Sequence, residues 1–282
     1  MMMKKIARII ILIILSAFII PACDIVEDPY LMRVTGGVVP GPGENVRKVL
    51  LEDYTGQKCP NCPAAAEEAH KLKTIYGEQL VLLTIHAGNY SVPDPSGDFT
   101  AEYRTQEGAD LNVFFAFPGY PMGLVNRTEF SGSRILLKDS WEAAAAIQTD
   151  LEAQVEIIIT NTYNTGTSKL DCLLETEFLK DMDGTYNICV FIVESGIISP
   201  QETEQGVNLT YEHNHVLRGS MNGTWGDVVG TDGQAISGSA LTNSYSYTIP
   251  DGWNADNCSV VAFVYNTTTN EVVQAEEKNI VE

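Results

Sequence analysis

Two hydrophobic periods run along this chain, and the change from one to the other divides it. The first apolar run, Ile9 to Ile20, is continuous, follows Lys4, Lys5 and Arg8, and is broken by Pro21. It is short for a membrane span and has the layout of a secretory signal over residues 1–22. Residues 23–46 have little periodicity and carry Gly36-Gly37 and Pro40-Gly41-Pro42-Gly43, which predicts a tether. Strand-like and helix-like patterns then alternate. Lys48 to Tyr54 reads as a strand. Ala65, Ala69, Leu72 and Tyr76 form one apolar helical stripe that stops at Gly77. Leu80 to Ala87 is a continuous apolar run suited to a sheet centre. Thr100 caps a helix expected to run to about Phe115, and Met122 to Thr128 and Ile135 to Leu137 read as strands. Asp139 with Glu142 makes a capping box for a helix from Ser140 to about Ala153.

Beyond Val155 the period becomes two. Strands are predicted at Val155 to Tyr163, Leu170 to Phe178, Tyr186 to Glu194, Val207 to Leu217, Ser244 to Ile249, Ser259 to Tyr265 and Glu271 to Gln274. Turn signals such as Asn164-Thr165-Gly166, Asp183-Gly184 and Asp251-Gly252 separate them. No helix pattern intervenes, which points to an antiparallel β-sandwich of immunoglobulin-like kind over residues 154–282. The fold class expected is α/β followed by all-β, with the boundary near residue 153.

Composition narrows the function. With 282 residues and 44% hydrophobic positions the chain can bury a core. Its net charge is −20, and removal of residues 1–22 with their three basic side chains takes it to about −23. Such a chain repels phosphate backbones, so nucleic acid is not an expected partner. The signal ends in Ile20-Pro21-Ala22-Cys23, which resembles the lipobox of bacterial lipoproteins. That resemblance implies cleavage before Cys23, lipidation of its thiol, and attachment to a membrane through the lipid.

The strongest chemical signal is Cys59-Pro60-Asn61-Cys62, between the first strand and the first helix. Two thiols spaced i, i+3 at a helix start can close a small disulfide ring. The free N–H groups and dipole of the helix end favour a thiolate there. Pro60 suits the first helical position, which makes Cys59 the expected N-cap. Thiol–disulfide exchange would use Cys59 as the exposed nucleophile and Cys62 as the buried resolving thiol. Export permits disulfides, so one further pair among Cys172, Cys189 and Cys258 is allowed, with no way to choose it. No cofactor is expected. Zinc is not expected either, because no second CxxC or spaced His pair follows. His213 and His215 alternate on a predicted strand and read as strand polar positions. His86 ends the second strand near the dithiol, His70 is expected in solvent, and Trp225 and Trp253 read as anchors of the β part.

The order β, α, β, α, β, β, α, with CxxC after the first strand and Pro121 just before the third, resembles the thioredoxin fold over about residues 47–153. The resemblance implies that Pro121 is cis and presents backbone groups to a substrate. It also implies that Asp53, six residues before Cys59, exchanges a proton with Cys62. Lys58 stands where thioredoxins carry an aromatic residue, and Pro60-Asn61 replaces their Gly-Pro, which leaves substrate surface and redox potential open. On a larger scale, LEDYTGQKCPNCP (Leu51 to Pro63), GYPMGLVNR (Gly119 to Arg127), HNHVLRG (His213 to Gly219) and VVAFVYN (Val260 to Asn266) resemble one family. It is the outer-membrane lipoproteins of Bacteroidetes-type bacteria named from a protein of about twenty-eight kilodaltons. That resemblance implies an outer-membrane location and a role as a surface receptor or adhesin. Two partner classes follow: protein or peptide thiols and disulfides for an oxidoreductase, or a surface ligand for a binding module without catalysis.

Overall fold

The computed structural model describes residues 45–231 and 233–281. Cys23, its apolar leader and the expected tether up to Glu44 lie outside them. The helix-rich part opens with β1 (Val49–Thr55), buried at all seven positions, and continues through α1 (Cys62–Tyr76) and β2 (Leu80–His86). Then come α2 (Gln106–Phe115), β3 (Met122–Val125) and α3 (Trp141–Thr149). Ten strands follow. They are β4 (Val155–Asn164), β5 (Lys169–Phe178), β6 (Tyr186–Glu194), β7 (Ile197–Thr203) and β8 (Gly206–His213). The last five are β9 (Val216–Ser220), β10 (Asp227–Val229), β11 (Ala240–Thr248), β12 (Cys258–Asn266) and β13 (Val272–Asn279). The fold is therefore mixed α/β, mostly strand, with few helices and several sheets.

One eight-stranded sheet runs β13-β12-β6-β9-β2-β1-β3, with β10 pairing β6. The change of period near residue 153 is visible in the elements, yet this sheet crosses it. β2 meets β9 in parallel at Thr84 and Val216, and Thr84 N–H donates to the His215 carbonyl at 2.8 Å. The period-two alternation sends Leu50, Tyr54, Leu83 and Ile85 to one face of the sheet. There they pack with Leu111 of α2 and with Phe191 and Phe263 of β6 and β12. On the other face α1 and α3 cover Val49, Leu51, Leu80 and Leu82. The three-stranded sheet β11-β5-β4 covers β6 and β12, through residues such as Ile157, Leu174, Val190 and Val260. Two charges sit inside this core. Arg127 donates to both Glu52 carboxylate oxygens at 2.7 and 2.8 Å, with both side chains fully buried. The guanidinium also stacks against Phe115, Phe263 and Tyr265.

Several local expectations change. α1 begins at Cys62 with Asn61 as N-cap and Pro63 in its first turn, so Cys59 is not the cap. α2 begins only at Gln106, because Thr105 rather than Thr100 caps it, accepting from Gly108 N–H at 3.0 Å. Ile135 to Leu137 is no strand: Leu136 makes a single bridge to Gly123 before a 3₁₀ turn at Lys138–Ser140. The capping box does not form, since Asp139 pairs with Lys138 and Glu142 with Lys71. The predicted strand Val207 to Leu217 splits into β8 and β9 at Asn214-His215, where His215 takes φ 54°. His213 and His215 consequently do not alternate on one strand. β7 was not expected, because Pro200 sits inside it. Cys172, Cys189 and Cys258 are all free and buried, so no second disulfide forms among them.

Candidate functional site

The site grows from β1. Asp53 and Thr55 share the face of Leu51, toward α1, and lie opposite Thr84 and His86 of β2 in register. Asp53 also pairs with Gly123 of β3, where an added Cβ would strike the Glu52 carbonyl and the Trp141 ring. The carboxyl is thus set deep in the sheet, and its Oδ1 has no hydrogen-bond partner. Burial pushes its pKa up to about 7.

Residues 56–62 carry the dithiol. Cys59 and Cys62 are joined as a disulfide with Cα atoms 5.4 Å apart, and both side chains are buried, at 2% and 1% exposure. Cys59 N–H donates to the Gly56 carbonyl at 3.0 Å and Lys58 N–H to the Tyr90 carbonyl at 3.0 Å. Gln57 Nε2 donates to the Ala101 carbonyl at 3.1 Å, tying the turn to the segment before α2. Tyr120–Pro121 is cis, and the Tyr120 hydroxyl donates to Asn112 Oδ1 at 2.6 Å. Pro121 lies where β3 begins and does not line the cavity described next.

The part of the site that sequence reasoning missed is the β7–β8 hairpin, which lies over the dithiol. A register shift between Ser199 and Gln201 accommodates Pro200, which has no N–H to give to the ladder. Gln201 is buried there. Its Nε2 donates to the Cys59 carbonyl at 3.0 Å and the Gly56 carbonyl at 3.3 Å. Glu202 N–H donates to the Gln57 carbonyl at 2.8 Å, and the Tyr103 hydroxyl to Ser199 Oγ at 2.7 Å. Nothing local in the sequence signals a contact between positions so far apart.

Beneath the hairpin, against α1 and β2, lies a cavity of about 580 Å³. It brings together Asp53, Cys62, His86, Gln201, Tyr211 and His213. His86, expected near the dithiol, is fully buried in it with neither ring nitrogen partnered. Burial, then the neighbouring His213 and Arg218 charges, hold His86 well below the ordinary imidazole range. Burial also takes His213 down to about 4 and raises the Tyr211 phenol to about 12. Both imidazoles are neutral near pH 7. His215 points its Nδ1 toward Glu277 Oε1 at 3.7 Å, and His70 is exposed on α1. Trp225 is partly exposed and packs edge-on against Phe114, while Trp253 stacks under the Arg218 guanidinium, 4.6 Å from its ring centre.

Comparison with known proteins sets this geometry in a family. A family model described as outer membrane protein Omp28 matches residues 110–282. Among solved structures, HBP35 of Porphyromonas gingivalis superposes with TM-score 0.63 at 17% identity, covering 84% of this chain and 76% of that one. A protein of Agrobacterium tumefaciens gives TM-score 0.52 at 12% identity, covering 85% of this chain and 97% of its own. A domain of the outer membrane lipoprotein Omp28 from Porphyromonas gingivalis aligns at 23% identity over 45% of this chain and 88% of that one, with TM-score 0.32. No curated protein matches the sequence. The match to residues 110–282 takes in most of α2, β3, α3 and every strand of the β part; the chain therefore belongs to the Omp28 outer membrane protein family, and its place is the outer membrane.

Proposed function

We propose that this is a lipid-anchored outer-membrane protein whose Cys59–Cys62 pair exchanges disulfides with protein or peptide thiols. On this reading residues 47–153 form a thioredoxin-like half, the strands after β3 an immunoglobulin-like sandwich, and Cys23 carries the lipid. The observation that supports it most is the closed Cys59–Cys62 disulfide beside Asp53, a buried carboxyl held near pH 7 that lines the same cavity as Cys62. A substrate thiolate attacks Cys59 Sγ and forms a mixed disulfide. Cys62 leaves as a thiolate and takes a proton from Asp53. A second substrate thiolate then displaces Cys59, so the substrate gains a disulfide and the protein gains two thiols. Pro121 would border the strand-like substrate segment.

One observation favours a different reading. Both cysteines are buried under the β7–β8 hairpin, as expected of a fixed structural element in a surface binding protein. A redox titration of the Cys59/Cys62 pair separates the two, with alkylation of Cys59 followed against pH. A potential of about −270 to −120 mV, with a Cys59 pKa below about 8.5, supports exchange. A potential below about −300 mV, with Cys59 inert to alkylation, assigns the pair to the scaffold and the function to binding.

A further inference from the structure

The cavity between α1, β2 and the hairpin is acidic and has no cation of its own. Asp53 lies in its wall, and Glu67 of α1, with Glu204 and Glu212, stands around it. No Lys or Arg lines it, and its two buried imidazoles, His86 and His213, are held uncharged, by burial first. Asp53 Oδ1 is sealed without a partner, and the residue, 3% exposed, meets solvent at the cavity wall. Among the described residues neither Glu67 nor Glu204 forms an ion pair. The Tyr211 phenol is raised by burial and then by the charges of both Asp53 and Glu67, so these two carboxyls act on one space. Buried acceptors are rarely left unpaired, and an uncompensated negative field around a cleft attracts a cation.

Shape and spacing identify the class of cation. The carboxyls do not converge: among the described residues no three His, Cys, Asp or Glu groups are placed to hold a metal ion. A volume of about 580 Å³ is that of an organic ligand site. Between the carboxyls the wall is apolar, built by Pro63, Ala64, Ala66 and Ala69 of α1 with Leu82 of β2. Ala64 and Glu67 on one side and Glu204 and Gln205 on the other are exposed, so the cleft opens to solvent between α1 and the hairpin turn. An aliphatic stem ending in a compact ammonium, which donates in three directions, suits this lining. The planar fork of a guanidinium instead seeks one carboxylate that accepts it in two places. Pro60 and Cys62 line the same cleft, which puts the cation beside the dithiol. Resting on the exchange reading for the source of that group, we propose that the cavity receives a lysine side chain of the substrate protein. The stem lies along the α1 alanines and the ammonium in the field of Asp53, Glu67 and Glu204. The net charge of −20 favours basic partners in the same sense.

The test uses the full chain with Cys59–Cys62 oxidised and no thiol added. The probe is the tripeptide Gly-Lys-Gly, acetylated and amidated at its ends, and amide NMR shifts report its binding. It should bind in the millimolar range and shift residues 64–67 and 203–205. The same peptide with its lysine Nε-acetylated keeps the stem and loses the charge, and should bind at least about fivefold more weakly. Glu67→Gln and Glu204→Gln, both at exposed positions where folding is not at risk, should each weaken binding about two- to fivefold. Glu78→Gln, exposed and outside the cavity, should leave it unchanged. Absence of binding, equal binding of the acetylated peptide, shifts confined to other residues, or indifference to both cavity substitutions would overturn the site. Tighter binding of n-butylamine, which has the stem and charge of the lysine side chain, than of the tripeptide would overturn the lysine assignment in favour of a free amine. No step of the measurement involves a thiol. Binding to a pair found redox-inert removes the exchange reading and leaves a lysine site, whereas exchange without binding removes the lysine site alone.

Discussion

Asp53 shows how one residue is loaded by its surroundings. Its carboxyl is pushed up to about 7 by burial, from an ordinary value of 3.8. Between about pH 4 and pH 7 the folded chain keeps a proton that the unfolded chain has already released, so stability falls as pH rises through that window. Three units at about 1.36 kcal/mol each set an upper bound of about 4 kcal/mol on the loss. Asp53→Asn removes the charge that burial penalises. The variant should be more stable than the parent at pH 8, by up to that amount, and equal to it near pH 3.5. Urea unfolding at the two pH values measures this; a variant less stable at pH 8 would mean the ionised carboxylate has a partner that stabilises it. Asp53 was singled out in the sequence only through the resemblance to the thioredoxin fold, and the structure places it on the lining of the same cavity as Cys62. His86 was legible only as a neighbour. Its meeting with His213 was not, since the hairpin that carries His213 is placed by tertiary contacts.

At the scale of elements, the β7–β8 hairpin decides access to the disulfide. A two-stranded hairpin is marginally stable by itself. This one is held down by Gln201, the Glu202 backbone and the Tyr103–Ser199 hydrogen bond. Gln201→Ala leaves the Cys59 and Gly56 carbonyls without that donor and should cost about 1–3 kcal/mol of stability. Reduction of Cys59–Cys62 by a small phosphine should then accelerate several-fold, read as thiol released against time. An unchanged rate would show that the hairpin is not the barrier. Elements with strong periodicity, such as β2, α1, β5, β6 and β12, were readable within a residue or two. β7 was hidden because Pro200 breaks the strand pattern and the hairpin it forms with β8 is held by backbone groups of the distant loop after β1. The break between β8 and β9 was hidden because positive φ at His215 is carried by a histidine rather than a glycine.

At the scale of the molecule, the change of hydrophobic period near residue 153 marks a change of architecture, while the core runs through it. The described residues belong to one compact unit. β2 would be a bare sheet edge without β9, and Leu83 and Ile85 pack in the same cluster as Phe191, Val193 and Phe263. The Arg127–Glu52 pair depends on the same neighbours. Removing Phe263 and Tyr265 would strip two of the rings stacked on the guanidinium, and with them part of what offsets the cost of burying this charge pair. Arg47 reaches across to the Val272 carbonyl at 3.2 Å, and Gln274 Nε2 donates to the Val46 carbonyl at 3.0 Å, closing the first described residues against β13. Heat or urea should therefore unfold the chain in one cooperative transition, the same by fluorescence, far-ultraviolet dichroism and calorimetry. A fragment of residues 45–153 should lack dispersed amide signals and bury no dithiol, because one face of its sheet is covered by side chains of β6, β9, β12 and β13. If that fragment instead folds and keeps Cys59 protected from reductant, the dithiol half is an autonomous domain and the shared sheet is an interface between two.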